Sequence, residues 1–354
     1  MGGNGGRTRG GSAGRSGRRG GRPTLEEVAA RAGVGRGTVS RVVNGSQQVS
    51  PETKAAVERA IAELGYVPDR TARALAAGLT DAVALVIPEP EERLFSEPYF
   101  AAIISGVSAE LAASDKQLLL TLNRDAQERR RLGQYLSGHR VDGVLLVSVH
   151  ENEPLPDLLR QLELPAVLSG RRTAGEAVPY VDSDNVGGAR EAVAHLAARG
   201  RRAIATIAGP RDMYVGQARL AGYREALGEA GLRAREDLVA YGDFTEAGGR
   251  AAARGLLGRA PELDAVFAAS DLMAAGALRE LRAAGRRVPE DVAVVGFDDS
   301  AVARHTEPGL TSVRQPAMEM GRAMVRLLLA EIAERSAEPP HLVLPTELVV
   351  RGSS

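Results

Sequence analysis

Residues 24–77 read TLEEVAARAGVGRGTVSRVVNGSQQVSPETKAAVERAIAELGYVPDRTARALAA, and this stretch decides the fold of the amino-terminal part of the chain. Thr24 and Glu27 have the spacing of a capping box, in which the hydroxyl accepts one backbone N–H and the carboxylate accepts that of Thr24. Leu25, Val28 and Ala29 then recur at helical spacing, and Gly33 suits the positive φ that reverses a chain after a helix. The segment from Arg36 to Val43 puts Val39, Val42 and Val43 on one face and Arg36, Gly37, Thr38, Ser40 and Arg41 on the other. Two short helices joined by so tight a turn form a helix-turn-helix whose second helix is polar and partly cationic. Ser50, Pro51 and Glu52 announce a third helix through a cap, a proline at the first helical position and an acid at the positive end. Val57, Ala60, Ile61 and Leu64 supply its buried stripe and Gly65 its stop. Asp69 can cap a last short helix, 70–77, that is too short to be stable alone in water.

AGVGRGTVSRVVNG, VSPET and GYVPDRTARALA together resemble the DNA-binding headpiece and hinge of the lactose-repressor (LacI/GalR) family of bacterial transcription regulators. The resemblance implies a sequence-specific regulator, a repressor, that acts as a homodimer on a pseudopalindromic operator under the control of a small molecule. Arg36 and Gly37 occupy the turn with which family members read bases, and Arg36 can meet a guanine edge in bidentate fashion. Thr38, Ser40, Arg41, Asn44, Arg70 and Arg73 are further candidates for DNA contact. Leu75 is expected to enter the minor groove from a hinge that folds only on DNA.

The overall formal charge of zero hides an uneven split: residues 1–80 carry a balance of +7 and the remainder −7. A basic head on an acidic body fits a nucleic-acid binder. Residues 1–22 form a Gly/Arg-rich arm with almost no apolar side chain, which cannot repay the entropy of ordering. The arm has two readings, a source of phosphate attraction or a dispensable extension. Cysteine is absent, which excludes disulfides, thiolate metal sites and cysteine nucleophiles. No apolar run approaches the ~20 residues of a membrane span and no signal-peptide core is visible, so the protein is expected to be cytoplasmic.

From Asp81 onward apolar strands alternate with amphipathic helices, the pattern of parallel sheets covered on both faces. Strands are expected at 83–87, 117–122, 143–148, 166–169, 180–181, 203–208, 238–241, 265–268 and 292–297. More than eight strands suggest two sheets, hence two lobes. The resemblance implies a two-lobed α/β core of the type I periplasmic-binding-protein kind. The expected organisation is a headpiece over 23–68, a hinge over 69–80 and a core over 81–354. Within the core, one lobe takes 81–182 and 313–338 and the other 183–312 and 339–351, including a last strand at 341–350. A helix at 101–113, with Ile103, Ile104 and Val107, is expected to contribute to a dimer interface.

Ligands in open α/β sheets sit beyond the carboxyl ends of the strands. Asp298, Ser270 and Arg171 stand at such ends. Arg219 and the pair Tyr99 and Phe100 match positions where family members meet the effector. Arg219 with Asp298 could hold a polyol by charge-assisted hydrogen bonds, which favours a carbohydrate effector. Asp271 and Asp184 read as helix caps and Asp299 as a loop brace. Ser270 and Gly170 depart from residues common in sugar-responsive relatives, so effector identity does not transfer, and a nucleobase-responsive, co-repressed regulator stays open beside the sugar. So does a solute-binding or sensing protein without a DNA role, against which the headpiece speaks. The five histidines show no metal-binding spacing, the glycines at 33, 35 and 37 follow a helix instead of a strand, and no nucleophile elbow occurs. The sequence therefore predicts neither an enzyme nor a metal or other cofactor.

Overall fold

The computed structural model describes residues 1–3, 23–43, 48–66, 80–122 and 126–354, which divide into two compact units at residue 78. Asn44, Arg70, Arg73, Leu75, residues 69–79 of the hinge and nearly all of the 1–22 arm lie outside the described residues.

In the first unit, α1 (Leu25–Ala32) opens on the capping box, with Thr24 Oγ1 accepting from Glu27 N at 3.3 Å and Glu27 Oε2 accepting from Thr24 N at 2.9 Å. Gly33 closes it at φ 69°. After α2 (Arg36–Val43), Ser50 caps α3 (Pro51–Leu64), and Gly65 ends that helix at φ 62°. The shared core is Val28, Ala29, Val39, Val42, Val57, Ala60 and Tyr66.

The second unit is built on two six-stranded sheets. The first has the order β11-β5-β4-β3-β1-β2, from β1 (Ala82–Ile87), β2 (Gln117–Leu122), β3 (Gly143–Val147), β4 (Ala166–Ser169), β5 (Tyr180–Ser183) and β11 (His341–Leu344). The second has the order β12-β10-β9-β8-β6-β7, from β6 (Ile204–Ala208), β7 (Val239–Tyr241), β8 (Ala265–Ala268), β9 (Ala293–Asp298), β10 (Thr311–Arg314) and β12 (Glu347–Val349). Every neighbouring pair is parallel except β10 with β12. Helices α4 (Glu91–Ser96), α5 (Pro98–Ala113), α6 (Ala126–Ser137), α7 (Leu155–Gln161) and the late α13 (Ala317–Ala333) accompany the first sheet. The second carries α8 (Asn185–Ala198), α9 (Tyr214–Glu229), α10 (Glu246–Arg259), α11 (Asp271–Ala283) and α12 (Ala301–His305).

The end of the chain departs from expectation. Strand β10 belongs to the second sheet, although the return to the first lobe was expected at 313. The stretch 341–350 is two strands instead of one: β11 pairs with β5 in the first sheet and β12 with β10 in the second. Pro345, which has no N–H for a ladder, separates them. The chain thus passes between the lobes three times, at 183–185, 314–317 and 344–347. These crossings are tied together, with Asp184 N donating to Leu344 O at 2.9 Å and Ser183 Oγ to Gln315 Oε1 at 3.2 Å.

Helices α5 and α13 pack so closely that a Cβ on Gly106 would run into the Met318 carbonyl, which only glycine tolerates. Ile103 and Val107 are consequently fully buried against Met320 and Met324 in their own lobe, which corrects their expected place in an interface. Among the described residues no helix is long and apolar enough to cross a membrane.

Candidate functional site

The carboxyl ends of both sheets of the core open onto one cavity lined by residues of both lobes, the place where open α/β sheets receive small molecules. Asp298 ends β9 with a φ of 115°, a strained turn for a residue with a Cβ. Its Oδ1 accepts a hydrogen bond from Gln315 Nε2 at 2.6 Å and lies 3.6 Å from Arg219 Nη1. Burial pushes the Asp298 carboxyl well above the usual range, against the pull of Arg219.

Arg219 lies on α9 and is 4 % exposed. Its Nε donates to Asn185 Oδ1 at 2.9 Å, its Nη1 to Ala269 O at 2.6 Å, and its guanidinium lies 3.6 Å from the centre of the Phe297 ring. Two of its five donors therefore hold protein to protein, and the side chain also lines the cavity. Arg171, past the end of β4, donates to Asp182 Oδ2 at 3.1 Å and Tyr180 Oη at 2.8 Å and lies against the ring of Tyr214 from the other lobe at 4.6 Å. Tyr99 Oη shares a hydrogen bond with Ser169 Oγ at 2.7 Å, and its ring meets Phe100 edge to face. Phe100 is 1 % exposed and serves the core of the first lobe as well as the cavity wall.

Ser270 does not line the cavity. Its hydroxyl accepts from Met273 N at 3.2 Å and caps α11, which corrects both its expected ligand role and the reading of Asp271 as the cap. Asp271 instead accepts hydrogen bonds from Ser312 Oγ and Ser300 N, bracing β10 and the loop after β9. Asp184 does cap its helix through Gly187 N, and Asp299 is held between Arg314 and Arg351.

Several cavity residues escaped the sequence reading. Glu97, half-buried, and Asp182, buried, are carboxylates whose proton affinity desolvation raises, countered by Arg93 and Arg171 respectively. Asn185 and Gln315 provide amides, and Met213, Tyr214, Phe244 and Met320 provide apolar surface. Asp182 is one residue past the strand expected at 180–181, so a longer strand would have found it. Gln315 follows β10, which was not foreseen as a strand.

On α2, Arg36 is exposed and its Nε is 3.2 Å from Glu26 Oε1, while Gly37 has open space where a Cβ would stand. Arg41 is exposed, Thr38 and Ser40 are half-buried, and Arg41 Nε donates to Gly37 O at 3.3 Å. Val39 is fully buried.

Residues 24–69 match the model of bacterial regulatory proteins of the lacI family, and residues 193–354 match a periplasmic binding protein-like domain. The HTH-type transcriptional regulator CelR of Thermobifida fusca is 58 % identical over 334 residues, covering 94 % of this chain and 98 % of that protein. This chain belongs to the lacI family. It is a DNA-binding transcriptional regulator, not an enzyme. Another lacI-type relative, the regulator AscG of Escherichia coli strain K12, is 36 % identical over 322 residues, covering 90 % of this chain and 94 % of its own. Among solved structures, a CelR–cellobiose complex aligns with a TM-score of 0.76 at 57 % identity, covering 94 % of this chain and 100 % of that one. The lac repressor dimer bound to operator and the anti-inducer ONPF aligns with a TM-score of 0.81 at 26 % identity, covering 94 % of this chain and 98 % of that one. The lacI-family architecture thus extends through the headpiece and both lobes.

Proposed function

We propose that this regulator binds cellobiose, or a close neutral analogue, in the cavity between the lobes, and that binding changes the affinity of a cytoplasmic homodimer for a pseudopalindromic operator. One observation carries the ligand class. Each guanidinium lining the cavity already faces a carboxylate: Arg93 pairs with Glu89 and Glu97, Arg171 with Asp182, and Arg219 with Asp298. Among the described residues that line the cavity no cation is left over for a phosphate or an acidic sugar, whereas hydroxyl groups can accept from guanidinium edges and donate to carboxylates. The rings of Tyr99, Tyr214 and Phe244 supply apolar faces for the C–H side of a pyranose. In this reading Asp298, Arg219, Arg171 and Tyr99 contact the sugar and Phe100 closes the wall. The cellobiose held by the CelR relative supports the same class.

The test combines calorimetry with a gel shift on fragments upstream of the gene and its neighbours. Cellobiose is expected to bind and to change operator retention, while glucose 6-phosphate does neither. Binding of the phosphorylated sugar alone would overturn the neutral-ligand reading.

For DNA, Arg36 is proposed to leave Glu26 and engage a guanine in the major groove, with Gly37 leaving room for the neighbouring base or a water. Arg36→Ala is expected to cost about 1–3 kcal/mol on the preferred operator and to relax discrimination at one base pair per half-site. Competition gel shifts with singly substituted operators read this directly, and unchanged discrimination at every position would reject the contact.

A further inference from the structure

A side-chain chain outside the cavity wall joins the two lobes across the cleft. We propose that His150, held between Glu89 of its own lobe and Asp212 of the other, is a protonated clasp that positions the lobes for ligand capture. Glu89 follows β1 and is 4 % exposed. It accepts from Arg93 Nη1 at 2.6 Å and from Ser148 Oγ at 2.5 Å, and its Oε1 is 3.2 Å from His150 Nε2. His150 Nδ1 lies 2.7 Å from Asp212 Oδ2, in the loop between β6 and α9. The adjacent Glu151 N donates to Asp212 O at 2.7 Å, so backbone and side chain meet the same residue across the gap. Neither His150 nor Asp212 lines the cavity.

An imidazole flanked by two carboxylates satisfies both only when both ring nitrogens carry protons, because a neutral ring turns one lone pair against an anion. The charged groups facing it are Glu89 from the β1–α4 side and Asp212 from the other lobe, with Arg93 behind Glu89. Arg93 is occupied by Glu89 and Glu97, so the field at the ring is negative. The hydrogen bond to Glu89, then that to Asp212, raises the proton affinity of His150 from its ordinary 6.5 to about 9, against burial. Burial pushes Glu89 up, but His150 and Arg93 bring it below the usual carboxylate range.

The sign follows from linkage. A group whose proton affinity is higher in the closed arrangement favours closure fully at low pH and loses that effect as pH rises through the closed-state value. Asp212 is more than half exposed, which moderates the effect through solvent screening. Cellobiose affinity of the wild-type protein is therefore expected to weaken about tenfold between about pH 7 and about pH 9.5, with proton uptake on binding near pH 8. His150→Gln keeps hydrogen-bonding groups without a titratable proton and should give a flat profile, and Asp212→Asn a shallower one. Cooperative melting of the core near pH 7 should be retained in both variants, which shows that they fold.

The ligand part of this test rests on the sugar reading above, so a second measurement omits sugar. The chain has no cysteine, and spin labels on Asn152→Cys and Arg233→Cys report the separation of the lobes. Widening at high pH in the wild-type background but not with His150→Gln supports the clasp. Equal separations at both pH values, or a wild-type pH slope that persists in His150→Gln, overturn it. Absence of cellobiose binding at every pH would instead overturn the ligand assignment.

Discussion

Val39→Asp is expected to abolish specific operator binding while leaving cellobiose binding by the core intact. Val39 is fully buried at the centre of a headpiece core of seven side chains. A carboxylate there would sit among apolar side chains, and burying an unpaired charge costs several kcal/mol. A domain of this size rarely holds more than about 3–5 kcal/mol of net stability. The headpiece should therefore unfold, whereas residues from 79 onward form a separate unit with their own cores. Fluorescence anisotropy with operator DNA and calorimetry with cellobiose, run on the same preparation, read the two halves of the expectation. Wild-type operator affinity in the variant would contradict the assigned packing of α2.

The second large effect is expected for Arg219→Met. The substitution removes the cation facing Asp298 and the donors to Asn185 Oδ1 and the Ala269 carbonyl. Breaking a buried pair from one side typically costs about 3–5 kcal/mol. At about 2–4 °C per kcal/mol for a unit of this size, the core should melt roughly 6–20 °C lower and lose its sugar response. Asp298→Asn separates stability from sensing. The isosteric amide keeps an acceptor for Gln315 Nε2 and removes only the charge facing Arg219, so it should lower the melting temperature less than Arg219→Met while eliminating the response. A normal sugar response in both variants would remove this pair from the site.

The headpiece was legible because its determinants are local. The Thr24–Glu27 box, the Ser50 cap and the reversals at Gly33 and Gly65 act within a single turn or at a helix end. The alternation of strands and helices in the core was legible for the same reason. Pairing was not: nothing near 341–344 records that this short strand lies beside β5, some 160 residues earlier. Asp298 and Arg171 were found as strand exits, since that rule needs only the strand and its end. The true partner of Asp271, a serine hydroxyl 41 positions away, was invisible, and a helix cap was the natural local reading. Glu97 and the His150–Asp212 contact likewise exist only after distant loops converge.

The three crossings between the lobes behave together as a flexure bearing. Three short straps fastened side by side, and cross-braced by the Asp184–Leu344 and Ser183–Gln315 bonds, bend easily about one axis but resist shear and twist. The size of whatever fills the cleft is then converted into a single opening angle. A slightly bulkier sugar would not distort the sensor in a new direction but stop it at a different point along the same arc, so graded responses to related ligands are built into the mechanics.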